Sequence, residues 1–271
     1  LLYMARNSDK KTLQESFSAL RRINRWAAAV QAAQGIVLLV LAKRAEQIIT
    51  TNFVTTDTVQ SAVAGHTVLA PATHQLWTVN AGYIVAVCFF VSALVHFVAA
   101  TFKRNCYESD LKKNTNRFRW ADFAVSNSLM LVAVALFAGV YDFSTLAAVF
   151  FLFATMSGFW LLAETLGQGK KRLSQLPFWF GAAGGAVALA VVGFYLWSSN
   201  IWGSGHIAAF VYWIFGTVLV GTVLFAVSVW LAARRQGRWS DYLFAERVFI
   251  VLGVVAQAAV AWQIYAGALK P

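Results

Sequence analysis

Seven long apolar runs constrain this chain more than any other feature. They lie at about Trp26–Ala45, Val79–Phe102, Trp120–Val140, Leu146–Leu166, Phe178–Ser199, Ile207–Ala233 and Phe244–Leu269. A helix needs about 20 apolar residues to cross a bilayer core. Inside lipid no water is available to backbone N–H and C=O groups, so a spanning segment must be a helix or part of a closed barrel. The runs are too long for barrel strands and do not alternate in polarity, which leaves helices. The expected fold is an all-α membrane protein, a seven-transmembrane helix bundle with residues 1–271 as a single domain. Composition agrees: 12% of residues are charged, against roughly 25% in soluble domains, too few to cover a soluble surface of this size.

The segment between the first two runs, Ile48–Thr78, is rich in Thr and Val. Phe53–Val59 and His66–Leu69 read as short strands, with Ala64-Gly65 as the turn between them. A structureless loop of that length would be unusual. A β-hairpin over one membrane face is expected.

The formal charge is +11, from 22 Lys and Arg against 11 Asp and Glu. Sorted by loop, 19 of the 22 basic residues fall on one side: the N-terminal segment, the second loop (Lys103 to Arg119), the fourth (Lys170, Lys171, Arg172) and the sixth (Arg234 to Arg247). Only Lys43, Arg44 and Lys270 fall on the other. Basic loops stay cytoplasmic. The N-terminus is therefore expected inside, the hairpin and C-terminus outside, and the chain in the plasma (cytoplasmic) membrane as a multi-pass protein. Topology and attraction to anionic lipid account for the excess charge, so membrane lipids are the expected partners and nucleic acid is not. Leu1–Lys11 has neither an apolar core nor a small-residue cleavage site. Cys88 and Cys106 define no disulfide framework.

Ionisable groups inside a span are costly and so become functional candidates. Asp122 reads either as an interfacial acid answering Arg117 or Arg119, or as a group facing the bundle. His96 is either a satisfied core imidazole or part of a site. Glu164 reads as a helix-end group or a packing partner, and Glu246 with Arg247 as interfacial, with pairing or lipid contact. Gln31 and Gln34, Ser126 to Ser128, Gln257 and Gln263 add a neutral polar seam; Ser126 shares a helical face with Asp122. No Cys/His spacing suits zinc, and no phosphate-binding loop is complete. No metal and no enzymatic activity are expected.

Several segments carry a more specific likeness: Ile23-Asn24 and Gln34-Gly35-Ile36, Phe89 to His96, Phe118-Arg119-Trp120-Ala121-Asp122-Phe123, Ala245-Glu246-Arg247-Val248, and Ala261 to Gly267. From about Leu20 to Leu269 the chain resembles the heliorhodopsins, rhodopsin-like proteins with a cytoplasmic N-terminus and a β-hairpin in the first extracellular loop. The resemblance implies that Asp122 stands for the family's helix-three carboxylate, a glutamate that balances a protonated Schiff base. It implies that His96 matches the helix-two histidine, and that Gln31 replaces the helix-one histidine. It places Gln257 where the family's lysine links retinal.

An amide cannot capture an aldehyde as a Schiff base; that takes a primary amine. The expected function is a heliorhodopsin-like protein without covalent retinal, a non-pumping sensor, binding or regulatory protein. The alternatives are a light-sensing variant holding retinal noncovalently, and an ion channel or transporter. Trp160, Trp213 and Trp262, with other aromatics of helices four to seven, are expected to line a pocket for noncovalent retinal, another isoprenoid or a lipid. Without a cation at 257, ionised Asp122 must rely on Arg119 or on water. A rise of 1.5 Å per residue sets Gln257 about 16 Å beyond Glu246 and Asp122 only about 5 Å beyond Arg119, so the third helix is expected to start early, from Leu111 onward. The resemblance further implies a homodimer, and the basic loops leave room for a cytoplasmic protein partner.

Overall fold

The computed structural model describes residues 2–42, 46–168, 175–203, 205 and 207–269, with side chains from residue 14 onward. Lys43, Arg44, Lys170, Lys171, Arg172 and Lys270, used above, lie outside the described residues. The elements are α1 (Leu2–Leu41), β1 (Glu46–Thr56), α2 (Thr58–Ala64), β2 (Leu69–Asn80), α3 (Ala81–Ala100), α4 (Arg104–Lys112), α5 (Arg117–Asp122), α6 (Ser128–Phe137), α7 (Phe143–Leu166), α8 (Gln175–Trp202), α9 (Ala209–Arg234) and α10 (Tyr242–Ile264). A π-helical turn, Phe123–Asn127, joins α5 to α6 into one span, and a second, Tyr265–Leu269, extends α10. Seven helices are long and apolar enough to cross a membrane. The fold is an all-α seven-span bundle with an extracellular β-hairpin between the first two spans.

The first span begins earlier than its apolar run. It covers Gln14–Leu41, because Phe17 and Leu20 are buried with Tyr107, Leu111 and Ile250. Arg21, Arg22 and Arg25 interrupt the run in sequence; Arg22 and Arg25 are exposed, and Arg21 pairs with Glu108 of α4. The loop after α3 is likewise not irregular. It holds α4, which lies on the basic face and buries Tyr107, Asp110 and Leu111. Arg117 grips Asp110 with two hydrogen bonds, at 2.9 and 3.0 Å, tying α4 to the start of α5.

The hairpin is longer than expected and its tip is helical. β1 and β2 pair antiparallel from Glu46↔Asn80 to Thr56↔Leu69. Thr58 and Val59 belong to α2 rather than to a strand, and His66–Val68 precede β2. The reason is local. Asp57 accepts hydrogen bonds from the backbone N–H of Val59 and Gln60, an N-cap. Gly65, at φ 70°, closes the helix rather than turning a hairpin. The hairpin docks on the bundle where Thr50 N–H donates to Tyr141 O (2.9 Å) and Asn52 N–H to Asp142 Oδ1 (3.1 Å).

Two parts of the core matter for function. Near the basic face, Trp120, Phe123, Trp160, Phe178, Phe225 and Phe249 form a continuous aromatic cluster. Toward the hairpin, Leu38, Val85, Phe89, Val134, Ile214, Val260 and Ile264 form a purely apolar one. α8 packs along α7 through small residues: a Cβ at Gly181 would fall 2.9 Å from the Trp160 ring.

Candidate functional site

A hydrogen-bonded centre joins α1, α3, α5, the π-helical turn and α10 halfway through the bundle. Gln31 Nε2 donates to Gln257 Oε1 at 2.7 Å. Gln257 Nε2 donates to Ser126 Oγ (2.9 Å) and Asn127 Oδ1 (2.8 Å). Ser92 Oγ donates to Asp122 Oδ1 at 2.6 Å and lies 3.2 Å from Gln257 Oε1. Ser126 Oγ, 2.8 Å from Asp122 O and 2.9 Å from its Oδ1, completes the ring. The π turn explains the convergence. Its extra residue per turn brings Asp122, Ser126 and Asn127 inward together, where a regular helix would carry one of them away.

Asp122 therefore faces the bundle and is not the interfacial acid that one reading offered. Arg117 and Arg119 are both engaged elsewhere. The early start of the third helix is also corrected: Leu111 belongs to α4, and α5 begins at Arg117. The depth difference is bridged instead by the Ser92 and Ser126 hydroxyls, which touch both Asp122 and Gln257. Toward the basic face, His96 Nε2 lies 3.9 Å from Asp122 Oδ2, and His96 Nδ1 lies 2.7 Å from Asn24 Oδ1. Asn24 Nδ2 in turn donates to Tyr107 Oη at 3.1 Å. Burial pushes the Tyr107 phenol up to about 12, against smaller lowering effects of Asn24 and Arg119, so it stays a neutral hydrogen-bonding group.

One helical turn closer to the basic face lies a charged cluster. Arg119 pairs with both Glu164 and Glu246. Trp120 Nε1 donates to Glu164 Oε2 (2.8 Å), Asn116 Nδ2 donates to Glu246 Oε2 (2.8 Å) and Tyr242 Oη donates to Glu164 Oε2 (3.3 Å). The guanidinium stacks over Trp120 and Phe249, 4.4 and 4.2 Å from their ring centres. Glu246 is 0% exposed and Glu164 5%, so Glu246 is buried rather than interfacial, and Glu164, near the end of α7, is the packing partner of its two readings. Burial becomes tolerable because paired charges and the hydrogen bonds of Trp120, Asn116 and Tyr242 replace much of their hydration.

A mostly apolar cavity of about 60 Å³ adjoins Gln257. One water needs ~10–15 Å³ in the same measure. Its walls include Asn127, Met156, Trp160, Thr217, Phe225, Gly253 and Gln257. Between α8 and α9 a groove of about 540 Å³ opens laterally, lined by Ala182, Ala186, Ala190, Gly193 and Leu219. Met156, Trp160 and Thr222 line both spaces.

Of the expected site residues, the structure brings Gln257, Asp122, His96, Gln31 and Ser126 into one network, and sets Trp160 in the cavity wall. Trp213 and Trp262 are corrections. Trp213 is 72% exposed on the outside of the bundle. Trp262 turns toward α1, where its Nε1 donates to Gln34 Oε1 at 3.0 Å. Neither lines the cavity. Asn24, Ser92, Tyr107, Asn116 and Arg119 were not read as site residues. Arg119 was read only as a candidate partner of Asp122, and its place between Phe118 and Trp120 was a further signal. Among the described residues, no three His, Cys, Asp or Glu side chains converge to hold a metal.

A comparison with curated proteins returns no match. The profile of the heliorhodopsin family matches residues 20–269, nearly the whole chain. This is an integral, multi-pass membrane protein, and it belongs to the heliorhodopsin family, a non-catalytic family of sensory receptors.

Proposed function

We propose that this heliorhodopsin-family protein does not form a retinal Schiff base and acts as a non-pumping receptor for an apolar ligand held without a covalent bond beside Gln257. The observation that carries the reading is the bonding of Gln257. Its amide oxygen accepts from Gln31 and its amide nitrogen donates to Ser126 and Asn127, so the side chain is fully engaged and offers no amine. None of the nine lysines in the sequence falls within a membrane span. Linked retinal therefore does not fit the residues present. An apolar molecule does: the cavity wall is aromatic and aliphatic, with Asn127, Thr217 and Gln257 as its polar end. The groove between α8 and α9 gives such a molecule a path from the bilayer. A change of packing at Gln257 would reach the basic face through Asp122 and His96, and a protein partner there would read it. A homodimer is part of the same proposal.

The test is to add all-trans retinal to the purified protein and record the visible spectrum. The expected result is no hydroxylamine-resistant band displaced to longer wavelength from free retinal. Such a band would overturn the reading.

A further inference from the structure

The polar groups in the wall of the cavity beside Gln257 are mostly in use. Gln257 bonds Gln31, Ser126 and Asn127. Thr217 Oγ1 and the Gln263 amide bond each other, at 3.0 and 3.1 Å. Among the described residues, three wall groups are left over. Asn127 Oδ1 accepts from Gln257 Nε2 at 2.8 Å, and Asn127 Nδ2, which can only donate, has no partner. Ser157 and Thr222 also line the cavity, and neither hydroxyl bonds a protein group.

Ser157 is the most telling of the three. A helical hydroxyl commonly returns to the carbonyl three or four residues before it. Ser228 does so with Leu224 O, Thr155 with Leu152 O and Thr165 with Leu161 O. Ser157 makes no such bond, although at 1% exposure it is buried more deeply than the other three. A buried hydroxyl without a partner is destabilising, so the site is complete only when an outside polar atom meets it. The leftover groups supply partners for about one water, which needs two to four. The rest of the wall, with Phe123, Met130, Leu131, Phe153 and Val260, suits carbon.

These walls select a chemical class. An apolar cavity of about 150 Å³ is enough for a benzene ring; at about 60 Å³ this one takes the end of a slender chain. Among the described residues, no charged side chain lines it, and Arg119 is committed to Glu164 and Glu246. An ionised acid or an ammonium would therefore bury its charge without an opposite one. A hydrocarbon would leave Asn127 Nδ2 and Ser157 Oγ unmet. A neutral oxygen serves both: it accepts from the amide, and the Ser157 hydroxyl can give or take. Met156, Trp160 and Thr222 line both cavity and groove, so a chain that passes them reaches the bilayer between α8 and α9.

We propose that the cavity takes a neutral, slender-chain alcohol or aldehyde from the bilayer. Its oxygen is held by Asn127 Nδ2 and Ser157 Oγ, its chain lies toward the groove, and the acid and the hydrocarbon of the same skeleton are disfavoured. This rests on the reading of the cavity as a site for an apolar ligand, and adds the head group that the site selects.

The experiment is competition for tritiated geraniol, a short prenyl alcohol, on the full chain in nanodiscs, with every competitor dosed as its mole fraction in the bilayer. Geraniol should bind saturably, and geranial should displace it at similar doses. Ionised geranic acid and the parent hydrocarbon should each need at least about tenfold more, the effect of one lost hydrogen bond to a buried group. Ser157→Ala breaks no protein hydrogen bond and should weaken geraniol about tenfold, toward the hydrocarbon. Acid or hydrocarbon displacing as well as the alcohol, or equal geraniol affinity in wild type and folded Ser157→Ala, overturns the proposal and leaves the apolar-ligand reading standing; a water then serves Ser157. Absence of saturable binding by alcohol, aldehyde and hydrocarbon alike overturns both. Should Ser157→Ala not fold, the competition series on the wild type decides.

Discussion

Replacing Gln257 by lysine tests the site most directly, because it restores the amine while leaving its surroundings intact. The local cage is already suited to an ammonium. Ser126 Oγ and Asn127 Oδ1 accept from the present amide nitrogen. Gln31 Oε1 is buried without a partner, so a flip of that amide would present another acceptor. Asp122 Oδ1 and Gln257 Oε1 lie 2.6 and 3.2 Å from the same hydroxyl, so a cation at the new side chain would sit within about 6 Å of the carboxylate, an attraction of roughly 3 kcal/mol at an effective dielectric of 20. That offsets much of the several kcal/mol that burying an ammonium costs. Gln257→Lys, reconstituted with all-trans retinal, should give a hydroxylamine-resistant visible band absent from the wild type. Adding Asp122→Asn should move that band to shorter wavelength, since about 3 kcal/mol of support for the protonated imine is lost. A Gln257→Lys protein that folds and yet spectrally matches the wild type would refute the claim that the missing amine at position 257 is what withholds the linkage.

Three further outcomes are expected. Arg119→Leu should cost about 3–5 kcal/mol, because two buried carboxylates lose their shared cation. The combination with Glu164→Gln and Glu246→Gln should recover most of that loss in denaturant titration, and a triple variant weaker than the single one would contradict this account. Trp160→Ala should cost about 3–5 kcal/mol and raise uptake of an apolar fluorophore from the bilayer by merging cavity and groove; Trp213→Ala, on the lipid-facing surface, should do neither. Asp142 caps α7. Partial burial opposes its charge, but the backbone N–H and hydroxyl of Thr145 and the Asn52 N–H outweigh that and hold its carboxyl below the usual range. Its contribution to stability is therefore complete above the unfolded value near 4 and is lost as pH falls through the lower folded one. Asp142→Ala should cost ~1 kcal/mol at neutral pH, and the gap from wild type should close on acidification.

The spans were legible because lipid imposes a single rule on every residue of a run. What interrupts a run was not. Arg21, Arg22 and Arg25 hid the first half of α1, and the charges of Arg104–Lys112 hid the amphipathic α4. Asp57 and Gly65 carried the signals for α2, but the surrounding Thr and Val residues read more strongly as strand. Within the site, Asp122, Ser126 and Gln257 were found by type and helical spacing. Glu246 was misplaced because it sits near a helix start, where an acid is ordinarily solvated, and Glu164 was left between helix-end group and packing partner for the same reason. Only the third dimension shows that Arg119 meets both. The aromatic wall failed for a similar reason: Trp160, Trp213 and Trp262 look alike in sequence, and helix rotation alone separates cavity from lipid.

The glutamine at 257 also bears on whether the pocket is maintained. An apolar residue there would leave Gln31 without its acceptor and Ser126 and Asn127 without their donor, and each buried group so stranded costs ~1–3 kcal/mol. An acid would add a second carboxyl beside Asp122. A neutral amide avoids both. It accepts from α1 on one edge, donates to the third span on the other, and needs no counter-charge. Asp122 is then free of a cationic neighbour on α10, and two hydroxyls supply its side-chain hydrogen bonds, with the His96 imidazole 3.9 Å away. A polar centre this thoroughly bonded is expensive to assemble in an apolar bundle. Core packing alone would be met by leucine at each of these positions. Its presence beside an open cavity argues for a site that still binds.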